Sequence, residues 1–197
     1  MITSLLSRRR SVRAYQTTPI PPEVLQDILE AGRLSPSGGN EQAWAFGVVT
    51  DPDLIAQISE AAHAQRWIAS APLLIVLCTL PVADERGGRD IQIDRYPEYA
   101  EGILGLLPDL YTRLNQEEHQ TKIAGTHMAL AALEHGVGSC WVSRFVVRRV
   151  AEILCLPPGM LPSEILVMGY PLEERPPRPK KPLNELVFYD RYAPGAE

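Results

Sequence analysis

Long apolar runs are missing from this chain. No uninterrupted apolar stretch exceeds the six residues of 73–78, far short of the ~20 that a membrane-spanning helix needs. Arg8, Arg9 and Arg10 stand near the start, but Ser11, Arg13, Gln16 and three prolines follow them instead of an apolar core, so no signal peptide is expected. Cysteine is scarce. Cys78, Cys140 and Cys155 are odd in number and lack a CxxC spacing, which excludes a disulfide framework and a zinc ribbon. The expectation is a soluble cytoplasmic protein with no membrane partner.

Common catalytic signatures are missing too. Gly136-Val137-Gly138 is followed by Ser139-Cys140-Trp141, so the third glycine of a dinucleotide fingerprint is lacking, and a helix precedes it where a strand belongs. There is no Walker loop, no GxSxG elbow and no HExxH. His119, His127 and His135 recur every eight residues, about 80° apart around a helix, and no metal site is expected from them. The cysteines have no evident base partner, so a hydrolase built on a Ser or Cys nucleophile is disfavoured.

What is present is a globular composition. Of 197 residues 45% are hydrophobic and 22% charged, which suits one domain spanning 1–197. Proline is abundant, and eight of the 18 fall between Pro157 and Pro182. The net charge of -5 hides an asymmetry. Arg8, Arg9, Arg10 and Arg13 form one basic island without an acid in the first 22 residues, and Arg175, Arg178, Lys180 and Lys181 form another. A nucleic-acid binder shows a broad basic face; here the rest of the chain is acidic. Two small islands fit either a compact anion such as a phosphate or two solvated faces, and charge alone does not decide between them.

Periodicity and punctuation give the element order. A short helix is expected over 4–9 with Thr3 as its cap, and an amphipathic helix opening at Pro21-Pro22. The polar turn Ser35-Pro36-Ser37-Gly38-Gly39-Asn40 leads into a strand over 44–49. Asp51-Pro52 starts a helix to about 64, and a buried strand runs over 73–80. Residues 81–117 read as a variable excursion, a lid or pocket wall with short helical patterns near 98–106 and 108–114. A long helix over 118–135, rich in small residues, should be central, with Gly136 as its C-cap. A strand over 140–145, a helix over 147–154 and a strand over 164–169 follow. Residues 171–197 read as an extended arm ending in the apolar Leu186-Val187-Phe188-Tyr189. The class is α+β or α/β with about four core strands.

Arg9-Arg10-Ser11-Val12-Arg13 gains meaning beside Pro36-Ser37-Gly38-Gly39-Asn40-Glu41-Gln42-Ala43-Trp44. Together they resemble the nitroreductase family of FMN-dependent enzymes. The likeness continues through Trp67-Ile68-Ala69-Ser70-Ala71-Pro72, through residues 125–141, and through Gly169-Tyr170-Pro171 with the basic segment 178–181. It implies an α+β fold, with a mainly antiparallel sheet of four to five strands flanked by helices. It also implies a homodimer in which the C-terminal arm is exchanged. The implied activity is hydride transfer from NADH or NADPH to FMN, then ping-pong reduction of a small-molecule acceptor such as a nitroaromatic, quinone or enone. Other FMN chemistry, by dehydrogenation or with oxygen, and non-catalytic flavin binding are the alternatives. The family implies that Arg9, Arg10 and Ser11 lie near the phosphate and ribityl chain, with Arg178 and Lys180 closing the phosphate and Arg13 beside the N1/O2 edge. Guanidinium forks suit a dianionic phosphate. Pro36, Ser37, Asn40 and Gln42 would meet the cofactor, some from a second subunit, and Ser143 and Arg144 match backbone positions that approach the flavin. Ala43, Arg144 and His127 depart from the residues frequent there (proline, glycine and asparagine).

Overall fold

The inner strands explain the architecture. In a computed structural model, which describes residues 2–80, 88–105, 116–173 and 176–191, four strands form one antiparallel sheet. These are β1 (Trp44–Val49), β2 (Leu73–Thr79), β3 (Gly138–Val142) and β4 (Leu161–Gly169), in the order β1-β2-β4-β3. Every residue of β2 is buried, which a strand with alternating polarity could not tolerate; its continuous apolar run requires cover on both faces. Successive side chains point to opposite sides. Leu74, Val76, Ile165 and Val167 pack under α3 (Pro52–Ala61) and α7 (Val147–Ile153). Leu73, Ile75, Leu77, Leu166 and Met168 pack under α2 (Pro22–Arg33) and α6 (Gln116–Glu134). The remaining helices are α1 (Ile2–Arg8), α4 (Gly88–Arg95) and α5 (Ala100–Leu104). The fold is α+β, three layers deep.

Small residues set the approach of α6. A Cβ on Gly125 would overlap Leu77 and lie 2.6 Å from the Trp141 ring, and one on Gly32 would overlap Met128. The helix therefore sits against both the sheet and α2. It ends where expected: Gly136 has φ 73°, and Val137 N donates to Ala132 O at 2.9 Å.

The chain from Ser11 to Gln16 stitches one end of the sheet. Val12 N donates to Ser139 O (3.1 Å), Gln16 N to Tyr170 O (2.9 Å), and Leu172 N to Ala14 O (3.0 Å). The buried Tyr15 hydroxyl donates within this network, reaching Val12 O at 2.6 Å and Val167 O at 3.1 Å.

Several boundaries differ from the sequence reading. α1 starts at Ile2, so Thr3 lies inside it rather than capping it. α3 stops at Ala61 because His63 and Ala64 take left-handed backbone angles. β3 lies two residues earlier than expected, because Gly138 pairs with Gly169 and the ladder ends at Val142. β4 begins at Leu161, ahead of Pro162. Proline is tolerated in this inner strand because a bulge falls there: Leu77 pairs with Glu164 and Cys78 with Pro162, leaving Ser163 unpaired. The expected helix near 98–106 is a 3₁₀ turn, Pro97–Tyr99, followed by α5. The one near 108–114 lies outside the described residues. Among the described residues no helix is long and apolar enough to cross a membrane.

Candidate active site along the β3 edge

Arg9, Arg10, Ser11 and Arg13 come to one edge of the sheet. They enter it on the segment that the Val12–Ser139 bond fixes beside the start of β3, where Ser11 and Ser139 form an isolated bridge. A cavity of about 350 Å³ opens there, lined by Arg8, Arg9, Arg10, Ser139 and Pro171 among others. Arg10 Nη1 is tied to the carbonyls of Ser7 (2.7 Å) and Arg9 (2.8 Å). One carboxylate, Glu173, also faces the cavity. Two or three guanidinium groups beside a strand start make a donor set suited to a phosphate monoester.

Further along, Arg13 lies exposed over the Trp67 ring, 5.5 Å from its centroid. Asp27 and Glu30 on α2 pair elsewhere and not with Arg13. Glu30 takes Arg33 in two 2.6 Å bonds, and Asp27 faces His135 at 3.2 Å. The Arg33 guanidinium holds the Glu30 carboxyl below the usual carboxylate range. Two residues before Trp67, Gln65 Nε2 donates to Arg144 O at 3.3 Å. The short segment 65–67 thus links Arg13 to Arg144, which are remote in sequence.

Ser143 and Arg144 follow the last residue of β3. Arg144 is exposed, and among the described residues the backbone N–H groups of Arg144 and Phe145 donate to no backbone carbonyl. The Ser143 hydroxyl donates to Glu164 Oε2 at 2.6 Å. β3 spans about 17 Å at ~3.3 Å per residue. Its edge therefore carries cations at one end and free backbone donors at the other, which matches an elongated ligand with an anionic end and a polar ring.

The second group sits elsewhere. Ser37, Asn40 and Gln42 form a tight turn before β1, on the opposite edge of the sheet, about 14 Å away at ~4.8 Å per strand. Ser37 Oγ accepts from Gln42 N (2.9 Å), and Gln42 Nε2 donates to Asn40 O (3.3 Å). Asn40 and Gln42 have φ of 58° and 51°, a conformation costly for residues other than glycine. Pro36 and Asn40 are exposed. Arg178 and Lys180 are exposed on the arm and do not line the cavity near Arg9. Within one chain, then, the predicted residues fall into a β3-edge group, a β1-edge turn and the arm.

Sequence reasoning missed the start of α6. Gln120 Oε1 accepts from Gly38 N at 2.8 Å, Thr121 and Thr79 share a hydroxyl bond of 3.0 Å, and Lys122 Nζ lies 3.2 Å from Glu164 Oε1. A visible signal was the lone carboxylate of Glu164 at the head of the apolar run Ile165-Leu166-Val167-Met168. His127 Nδ1 is engaged by Ser35 Oγ at 2.7 Å. Burial pushes the Cys78 thiol up to about 11, which suppresses it as a nucleophile.

Comparison with known proteins agrees with this geometry. The nitroreductase family model matches residues 6–102 and 112–170. An NADH dehydrogenase of Thermus thermophilus is 30% identical over 193 residues, covering 92% of each chain. An FMN reductase [NAD(P)H] of Bacillus subtilis is 28% identical over 189 residues, covering 95% of this chain and 72% of its own. The crystal structure of a nitroreductase family protein from Clostridium difficile superposes with a TM-score of 0.73 at 27% identity, over 96% of this chain and 98% of the other. The family match and these relatives make the chain an oxidoreductase. The chain belongs to the nitroreductase family.

Proposed function

We propose that the chain binds FMN along the β3 edge and works as an NAD(P)H-dependent reductase of a small organic acceptor. The observation that supports it best is the convergence on one edge of the short segment bearing Arg9, Ser11 and Arg13 with Arg144, more than 130 residues further along the chain. Bound there, FMN would supply a ring that accepts hydride from NADH or NADPH and passes it to a nitroaromatic, quinone or enone in a ping-pong sequence.

The protein's own part is binding and electrostatics. Arg9 and Arg10 would hold the phosphate in the cavity, and Ser11 would bond the ribityl chain. Arg178 and Lys180 would complete the phosphate site from the arm. Arg13, braced on Trp67, would set positive charge beside the N1/O2 edge. The free N–H groups after Ser143 would orient the far side of the ring. The turn bearing Pro36, Ser37, Asn40 and Gln42 would serve the site of a second subunit, which accounts for its place on the opposite edge. The functional unit in this reading is a homodimer.

Heat release of the cofactor from purified protein, followed by chromatography, tests the reading. One FMN per chain with little FAD is expected. A colourless protein that takes up no added FMN would overturn it.

A further inference from the structure

The buried carboxylate on β4 has a use that stability alone does not supply. Among the described residues Glu164 is the one carboxylate in the core, 4% exposed. Its two oxygens are divided between two elements. Oε2 accepts the Ser143 hydroxyl at 2.6 Å, and Oε1 faces Lys122 Nζ of α6 at 3.2 Å. Lys122 is partly exposed and only the carboxylate is buried, and desolvation of that carboxylate offsets much of the attraction. The fold nevertheless builds this pair with a special device. The bulge at Ser163, fixed by Ser163 Oγ donating to Leu77 O at 3.1 Å, sets the register that faces Glu164 toward α6.

The partner held by this device is the backbone just past β3. Ser143 is gripped from inside the sheet by Glu164, and Arg144 is gripped from outside by Gln65. Phe145 is half-buried, and Val146 N donates to Ala61 O at 2.9 Å. Four residues with no strand pairing are thus anchored on both flanks, while the Arg144 and Phe145 N–H groups stay free. We infer that Lys122 and Glu164 are positioning residues: acting through the Ser143 hydroxyl, they hold the 143–145 backbone where it meets the flavin ring. The inference rests on the FMN reading above, since only a ring bound at this edge makes the position of those N–H groups matter. Lys122 holds Glu164 in place, Glu164 orients Ser143, and Ser143 fixes the donors.

Ser143→Ala, Ser143→Thr and Glu164→Gln test it in two readouts. The first is hydrogen exchange of the Val146 amide, the N–H of this stretch that is bonded (to Ala61 O), in flavin-free protein. Ser143→Ala should exchange at least tenfold faster there and unchanged in β2, while Ser143→Thr, which keeps a hydroxyl, should match the wild type. The second is bleaching of bound FMN by NADH or NADPH in protein saturated with FMN. Ser143→Ala should bleach at least tenfold more slowly with an unaltered nicotinamide KM, Ser143→Thr should restore the rate, and Glu164→Gln should fall between them because its amide oxygen still accepts from Ser143. Unchanged exchange in Ser143→Ala would show that there is no pin. Faster exchange with wild-type bleaching would show that the loop's position is immaterial to the ring. Failure of Ser143→Thr to restore both would also overturn the inference. Wild-type protein that binds no FMN would instead remove the functional reading and leave the exchange result standing by itself.

Discussion

In the FMN reading the arginines of the β3 edge would do three different jobs, and mutation separates them. Arg9 faces a cavity with two neighbouring arginines, so in the FMN reading it contributes affinity. Arg9→Ala, and Lys180→Ala on the arm, should each weaken FMN binding by about 1–3 kcal/mol, the range for a lost charge-assisted hydrogen bond. Turnover at saturating FMN should stay near wild type. Arg13 lies on Trp67, and among the described residues no carboxylate pairs with it. Arg13→Ala should therefore cost little stability, about 0.5–1 kcal/mol for an exposed cation–π contact. It should lower the potential of the bound flavin by several tens of millivolts, roughly 30 mV for each 1.4 kcal/mol of lost stabilisation of the reduced ring. Redox titration and thermal unfolding on the same variant check both. A fall in stability with an unmoved potential would leave Arg13 a structural residue. Arg144 differs again, since its carbonyl is anchored while its exposed side chain has no described ion pair.

The elements were legible to the degree that their signals were local. β1 over 44–49 and the start of α2 follow from a short apolar run, from proline at the first helical turn and from the polar turn between them. The Asp51 cap is also local: its carboxylate accepts from Asp53 N and Leu54 N at 2.8 and 3.1 Å. The small-residue face of α6 correctly indicated close packing. What escaped depended on partners distant in sequence. The strand was expected only from 164, and only the register of β2 against β4 shows that it starts at Leu161, with a bulge accommodating Pro162. Glu164 looked like a strand terminus until Lys122 and Ser143 met it. α4 carries weak apolar periodicity, so its helix left no clear trace. The site was legible as a set of residue types but not as a geometry: nothing local told that Ser37 to Gln42 would lie on the opposite edge from Arg9. The packing account of α6 makes its own prediction. Gly125→Val puts atoms where Leu77 and Trp141 already lie and should destabilise by about 1–3 kcal/mol, read from urea unfolding. An unchanged midpoint would mean that the helix is free to move off the sheet.

At the scale of the whole molecule, the arm is the unfinished part of a single chain. From 176 to 191 it is exposed throughout and has one 3₁₀ turn, Leu183–Glu185, but no strand. Leu183 and Tyr189 are 75% and 85% exposed, with Leu186 and Phe188 beside them. Apolar groups so concentrated mark a contact surface. In the dimer reading, a second copy covers them as the arm is exchanged between subunits. Removing residues from Arg178 onward should then cost both dimer and flavin on a sizing column, and a truncated chain that remains a yellow dimer would remove the arm from the account. In the proposed function the protein also transfers electrons, and anaerobic mixing reads that transfer directly. FMN-loaded protein mixed with NADH or NADPH without oxygen should lose its yellow absorbance within the mixing experiment and regain it when a quinone or nitroaromatic is added. Flavin that stays oxidised with both nicotinamides would contradict the account.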